Sequence, residues 1–386
     1  METIRQSNFG TITQMKRLNY LLIALILLLL ATSFYLIFLN RNSKDTYIGS
    51  RIPNNEIAPT LTSQSPSSAP MILKPIPKSK ILENNYYAKQ TFNNCGPASL
   101  SMALSYYGIE KSQHELGQIL RPYQNPIGDN DDKSVTLTEL ANHAKTYGFF
   151  TYHRPNGDVE LLKKFITYDI PVITRTWLHV NEDIGHYRMV KGYDDNSQTI
   201  IQDDSYEGSD LSFSYSDFNI MWSKFDYEYM VLIPNDKKLI AEEIIGANLD
   251  DSYAWGQAVK RNNEILQQNP NDIYSRFNLS VAYYHLKDYE KSVKEFEMVE
   301  SQLPFRTLWY QIEPILSYYE LKNYNRVFSI TDKILGNYNR AFSELYVIRG
   351  KIYQNQGDPE NARSEYEKAV FYNNNLKEAQ ELLNSL

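Results

Sequence analysis

The stretch Gln90-Thr-Phe-Asn-Asn-Cys95-Gly-Pro-Ala-Ser-Leu-Ser-Met-Ala-Leu-Ser-Tyr-Tyr-Gly108 decides how this chain folds. It holds the only cysteine in 386 residues. Gly96 and Pro97 mark a turn into a first helical turn, where proline is tolerated because its missing N–H would have no partner anyway. Leu100, Ala103, Leu104 and Tyr107 then recur at helical spacing, and Gly108 is a natural stop. The pattern predicts a helix that starts at Cys95. A thiol there feels the positive end of the helix macrodipole and the unpaired N–H groups of the first turn, both of which favour the thiolate. The thiolate is the attacking species, so the position suits a nucleophile. A free cysteine is as often a small buried hydrophobe, and this stretch alone leaves both readings open.

Two features elsewhere bear on that choice. Gln90 stands five residues before Cys95, close enough for its amide to face the same site as an oxyanion donor. Gly185-His186-Tyr-Arg-Met-Val-Lys-Gly192-Tyr-Asp194 reads as a strand that opens on a histidine and ends in turn residues. A second strand, Thr199-Ile200-Ile201-Gln202, runs into Asp203-Asp204-Ser205-Tyr206. A helix-start cysteine with a histidine and an acid on neighbouring strands is how a papain-like site is assembled. If the second strand runs regularly, Asp203 and Asp204 face opposite sides, and only one of them can reach the imidazole.

At this point the block from Ile81 to Pro234 resembles the double-glycine (bacteriocin-processing) cysteine peptidase family, in its stand-alone form without a transporter. The carrying motifs are Gln90, Asn94-Cys95-Gly96-Pro97-Ala98, Tyr106-Tyr107-Gly108, Gly185-His186-Tyr187, Gly192-Tyr193-Asp194-Asp195 and Asp204-Ser205-Tyr206. The resemblance implies a papain-like fold with Cys95 as nucleophile, His186 as general base and Gln90 as oxyanion donor, the imidazole being oriented by an acid. The Asp-Ser-Tyr tripeptide is the better match to the family and points to Asp204. The Gln-to-Cys spacing is one residue shorter than in the transporter-linked members. The other histidines (His114, His143, His153, His179 and His285) have no nucleophile or ligand partner at motif spacing and read as surface or satisfied polar residues.

Between the two halves of this site the chain alternates helix and strand. Leu137, Leu140, Ala141 and Ala144 make one helical face ending at Gly148, followed by a strand from Phe149 to Arg154. Leu161, Leu162, Phe165 and Ile166 predict a helix from Asp158, and Pro171 to Trp177 reads as a strand with proline at its permitted first position. Tyr227 to Ile233 is expected to close the domain, which at about 150 residues can bury a core without disulfides or metal. Gly128-Asp-Asn-Asp-Asp-Lys133 lacks the internal glycine and terminal glutamate of a calcium loop and reads as a solvated acidic loop.

Leu18 to Leu39 is an uncharged run of 22 residues, long enough to span a bilayer as a helix. Lys16 and Arg17 precede it, so the positive-inside rule predicts a cytoplasmic N-terminus and an exported body. A cleaved signal peptide is the alternative, but the run exceeds a usual signal core and no small-residue cleavage motif follows. Residues 40–80 are rich in Ser, Pro, Asn and Thr and read as a flexible stalk.

The last third repeats. Ala282-Tyr283-Tyr284, Asp288-Tyr289, Ser292, Phe296 and Val299 recur 35 residues later as Ser317-Tyr318-Tyr319, Asn323-Tyr324, Val327, Thr331 and Ile334. The pattern returns as Ile352-Tyr353, Gly357-Asp358, Ala362, Tyr366 and Ala369, and an eroded earlier copy lies on Trp255, Ala258, Ile265 and Pro270. This period resembles the tetratricopeptide repeat, in which each helix–turn–helix buries its face only against its neighbours. A helix from Leu376 to Leu386 is expected to close the array.

The expected fold class is therefore an α+β papain-like cysteine peptidase domain followed by an all-α tetratricopeptide-type solenoid, with a single N-terminal transmembrane helix. The segments are a cytoplasmic terminus at 1–17, the membrane helix at 18–39, the stalk at 40–80, the peptidase-like domain at 81–236 and the repeats at 239–386. The net charge of −7, with its cations dispersed, gives no footprint for nucleic acid. No glycine-rich phosphate loop or Cys/His cluster calls for a cofactor or metal. The expected function is a membrane-anchored thiol peptidase that cleaves exported peptides or proteins, with the repeats recruiting substrate or a protein partner. The competing reading is a non-catalytic peptide-binding scaffold with a degenerate papain-like domain.

Overall fold

The computed structural model describes residues 72–123, 134–337 and 339–386. The expected membrane helix, the stalk before residue 72 and the acidic loop at 128–133 lie outside the described residues. Among the described residues, no helix is long and apolar enough to cross a membrane.

Seven strands build the first half: β1 (Ser79–Ile81), β2 (Phe150–Arg154), β3 (Val172–Trp177), β4 (Gly185–Asp194), β5 (Thr199–Asp204), β6 (Gly208–Ser214) and β7 (Tyr229–Ile233). They form one antiparallel sheet in the order β2-β7-β3-β4-β5-β6, with β1 paired to the end of β4. Neighbouring residues point to opposite faces, so Met189 and Met230 belong to one core while Val190 and Val231 belong to the other. Helices α1 (Cys95–Tyr106), α2 (Gln113–Leu120) and α3 (Leu137–Ala144) cover the first face through Ala98, Leu100, Leu104 and Leu140. Helices α4 (Val159–Thr167), α5 (Tyr215–Trp222) and α6 (Lys238–Ile245) cover the second through Phe165, Ile166, Trp222 and Ile244.

The helix ends follow from local chemistry. Ser112 with Glu115 and Thr136 with Glu139 form reciprocal capping boxes at α2 and α3. The Asp158 carboxylate accepts the Leu161 N–H at 2.7 Å and starts α4. Gly108 and Gly148 take φ of 77° and 87°, the left-handed conformation that ends a helix at low cost in glycine.

Two stretches differ from the boundaries that composition suggested. Residues 72–80 are tied down where a stalk was expected. Leu73 and Ile76 pack on the second core, Lys78 carbonyl accepts from Asp195 N–H at 2.8 Å, and β1 adds to the sheet. Backbone pairing and the two apolar side chains together hold the segment. At the other end, α6 lies in the segment expected to open the repeats, yet Ala241, Ile244 and Ile245 pack with the sheet.

The second half is all helix: α7 (Asp251–Gln268), α8 (Ile273–His285), α9 (Tyr289–Glu297), α10 (Thr307–Tyr310), α11 (Glu313–Glu320), α12 (Tyr324–Gly336), α13 (Ser343–Asn355), α14 (Pro359–Tyr372) and α15 (Lys377–Asn384). Asp288, Asn323 and Asp358 recur at the repeat period, and each accepts a backbone N–H from the residue three further on, capping α9, α12 and α14. Each cap follows a residue in the left-handed region, Lys287, Lys322 or Gly357. The same turn chemistry is thus repeated three times. Small residues sit where helices cross, as at Ser292, whose hydroxyl meets Ser280 at 3.2 Å and Ser317 at 2.7 Å.

The solenoid is bonded to the sheet domain at several points. Asn262 Nδ2 donates to Asp226 Oδ1 at 2.5 Å, Asn278 Nδ2 to the Ser223 carbonyl at 2.8 Å and Gln311 Nε2 to Glu228 Oε1 at 3.1 Å. Beyond α14, Asn375 Nδ2 donates to the carbonyls of Gln118 and Ile119 at the end of α2.

Candidate active site

Cys95 is the first residue of α1, and a tight turn delivers it there. Asn93 takes φ of 55°, and Asn94 N–H donates to the Thr91 carbonyl at 3.1 Å. The buried Asn94 side chain is held from both ends: its Nδ2 donates to Thr91 Oγ1 at 2.7 Å, and its Oδ1 accepts from Arg121 Nη1 at 2.8 Å. The sulfur therefore sits at a helix N-terminus on a braced loop.

His186 lies at the start of β4, with its imidazole close enough to the Cys95 thiol for each to shift the other's ionisation. Its Nε2 meets Asp204 Oδ1 at 2.8 Å, which leaves Nδ1 as the ring nitrogen for sulfur. Asp204 ends β5 directly opposite Arg188, and Arg188 Nε meets Asp204 Oδ2 at 2.9 Å. The same carboxylate accepts the N–H groups of Tyr206 and Glu207 at 2.8 and 3.1 Å. All four side chains are nearly out of solvent, with Cys95 5% exposed and His186 3%.

Of the two acids left open by the sequence, Asp204 is the one bonded to His186. Asp203 pairs with Lys191 at 2.7 Å and accepts the Asp210 N–H at 3.0 Å, on the other side of the strand. Gln90 is fastened beside the end of β5. Its N–H donates to the Ser205 carbonyl at 2.7 Å and its Oε1 accepts from Ser205 Oγ at 2.8 Å, so its amide nitrogen is the end left to donate.

The electrostatics favour charge separation. Burial alone would push the Cys95 thiol up. The hydrogen bond and charge of His186, with the N–H groups of Tyr187 and Gly96, outweigh it and hold the thiol below its ordinary value. Burial likewise pushes His186 down, and its bonds to Asp204 and Cys95 reverse that, leaving the imidazole above its ordinary value. Asp204 is held well below the carboxylate range because His186, Arg188 and the Tyr206 N–H overcome its burial. The thiol and imidazole shifts both run toward a thiolate beside an imidazolium, backed by a carboxylate.

Arg188 and Arg121 were not singled out from the sequence. Arg188 donates to the carbonyls of Trp177 and Leu178 as well as reaching Asp204, so it ties the β3–β4 connection to the acid. Its signal was legible, since a cation two residues after His186 shares its face of a strand. Arg121 lies in a different part of the sequence, and its link to Asn94 is purely tertiary. The remaining histidines have partners away from the thiol: His114 meets Gln118, His143 meets Tyr147, His153 meets Glu228, His179 meets Glu207, and His285 stacks on Trp255.

Two stretches of the chain match known families. Residues 81–230 match the Peptidase_C39 like family, and residues 343–376 match the tetratricopeptide repeat. No curated protein matches the chain. Among solved structures it is similar to a protein described as a C39-like peptidase from Bacillus anthracis, at 17% identity over 41% of this chain and 99% of that one, with a TM-score of 0.35. The peptidase domain of Streptococcus ComA, a bi-functional ABC transporter involved in a quorum-sensing pathway, is similar at 21% identity over 40% and 98% of the two chains, with a TM-score of 0.30. A thermophilic TPR protein from Thermus thermophilus matches at 17% identity over 34% and 74%, with a TM-score of 0.28. The protein thus joins a papain-like domain of the C39 kind to a helical region of the tetratricopeptide kind.

Proposed function

We propose that this protein is a membrane-anchored thiol peptidase that cleaves exported peptides or proteins, with its helical repeats recruiting the substrate or a protein partner. The observation that supports this best is the single line of contacts from the Cys95 thiol through His186 to Asp204, with thiol and imidazole shifted toward the ion pair. In this reading the Cys95 thiolate attacks the acyl carbon of a peptide bond, and the carbonyl electrons move onto oxygen. The Cys95 N–H and the Gln90 amide hold that oxyanion, each such donor being worth on the order of 100- to 1,000-fold in rate. The tetrahedral adduct collapses, and the His186 imidazolium gives its proton to the departing amine. Water, deprotonated by His186, then releases the acid and restores the thiol.

The anchor is the 18–39 run, with Lys16 and Arg17 keeping the N-terminus cytoplasmic and the two folded regions outside. The test is the full chain, solubilised, offered a mixed peptide library with and without Cys95→Ser. New termini that appear only with the wild-type protein support the peptidase. Tight peptide retention with no cleavage by either form would favour the scaffold.

A further inference from the structure

The solenoid reaches the thiol site. The segment from Arg306 to Gln311, which includes α10, lies along the hairpin from Trp177 to Gly185 that leads into His186. Arg306 Nη1 stands 3.7 Å from Asp183 Oδ1, and Arg175 Nη2 donates to the Tyr310 carbonyl at 2.7 Å. The Arg175 guanidinium is buried among the rings of Phe225, Tyr187 and Tyr310, 4.7, 5.7 and 5.8 Å from their centres. Between Trp177, Asp183, Phe225 and Tyr310 only about 10 Å³ of space remains, at the lower limit for one water.

The Tyr310 ring lies against Gly185, the residue before His186. A Cβ at position 185 would meet ring carbons at 3.0–3.1 Å, so the absence of a side chain there is what admits the ring. A nucleophile must meet an acyl carbon on an open side, yet Cys95 and His186 are almost fully covered. A ring from the second domain stands against the residue that leads into His186.

We propose that Tyr310 is a specificity-determining residue of the thiol site, supplied by the solenoid, whose ring limits the bulk of the group that reaches Cys95. The proposal rests on Cys95 being the reactive thiol of the preceding section. Arg175 holds the main-chain carbonyl of residue 310, so changing the side chain leaves the tether of α10 in place.

Cys95 is the only thiol, so its alkylation can be followed on the full chain with no peptide substrate. The readout is the ratio of labelling rates for a bulky aryl maleimide and for iodoacetamide. Tyr310→Ala should raise that ratio by about tenfold, a barrier change of about 1.4 kcal/mol. Tyr310→Phe keeps the ring and should leave the ratio as in wild type. Tyr310→Trp should lower it, and decides the matter if the alanine variant folds poorly. The same ratio in wild type and in the folded Ala and Trp variants would overturn the proposal. Failure of the peptidase reading looks different: both reagents would then follow the pH curve of an ordinary thiol, whatever the ratio does.

Discussion

At the scale of the residue, the account turns on one imidazole with two neighbours. Asp204→Asn removes the anion that orients His186 and stabilises its cation, and should lower turnover by about two to four orders of magnitude without unfolding the protein. Asp203→Asn touches Lys191 and the Asp210 N–H instead and should change turnover little. Steady-state kinetics of the two variants separate these outcomes. The pH profile follows from the same geometry. With Cys95 held below the ordinary thiol value and His186 above the ordinary imidazole value, kcat/KM should rise as the thiol ionises and fall as the imidazolium loses its proton. The result is a bell whose alkaline limb moves to lower pH in Asp204→Asn, because losing a nearby anion lowers the imidazole pKa. An alkaline limb that stays put in that variant would show that His186 does not set it. Much of this was readable beforehand. The helix start at Cys95, the histidine at the head of a strand and the period-2 argument separating the two aspartates all came from local sequence. Arg121 and Tyr310 did not, because each meets the site only through tertiary contact with a residue remote in sequence.

At the scale of the element, β4 and β5 carry the site as one cross-strand unit, since Arg188 stands opposite Asp204 with His186 two residues before it on the same strand. Arg188→Met would leave the buried Asp204 carboxylate short of its cation. Breaking such a pair costs about 3–5 kcal/mol, which should appear as a fall in Tm of about 6–20 °C. A melting curve like that of wild type would show that the pair carries little. In the solenoid, Gly350 on α13 faces the Tyr366 ring on α14 so closely that a Cβ would overlap it. Gly350→Ala should therefore destabilise the array by about 1–3 kcal/mol even though alanine favours helix, the overlap outweighing the gain in propensity. Chemical denaturation measures which effect wins. The repeat period was legible because the same cap recurs at Asp288, Asn323 and Asp358. The first copy was misleading at its start: α6 occupies the place of its leading helix but buries Ala241, Ile244 and Ile245 against the sheet. Amphipathic spacing says that a helix has an apolar face and leaves open which core receives it.

At the scale of the whole molecule, the sheet domain and the solenoid share a buried polar seam. Asp226 lies in it, bonded to Asn262 of α7, and burial raises its carboxyl well above the usual range. A carboxyl raised in this way loses folded-state stability as pH climbs from its ordinary value toward its folded pKa, because the unfolded chain ionises there and the native state does not. Asp226→Asn cannot ionise in either state and keeps an oxygen for Asn262, so it should stabilise the protein, by about 1–2 kcal/mol, with the gain growing as pH climbs above the ordinary carboxyl value. Thermal melts of both forms from about pH 4, the ordinary carboxyl value, upward would show the divergence, and parallel curves would contradict it.

If Cys95 is an activated nucleophile, the rate of its reaction with iodoacetamide as a function of pH will show it. A thiolate should be present below the ordinary thiol pKa of about 8.5, modified at a single site, with His186→Ala restoring an ordinary or higher value and cleavage lost in Cys95→Ser. A wild-type titration at the ordinary thiol value or above it, unchanged by His186→Ala, would contradict the account and leave Cys95 as one more small residue of the core.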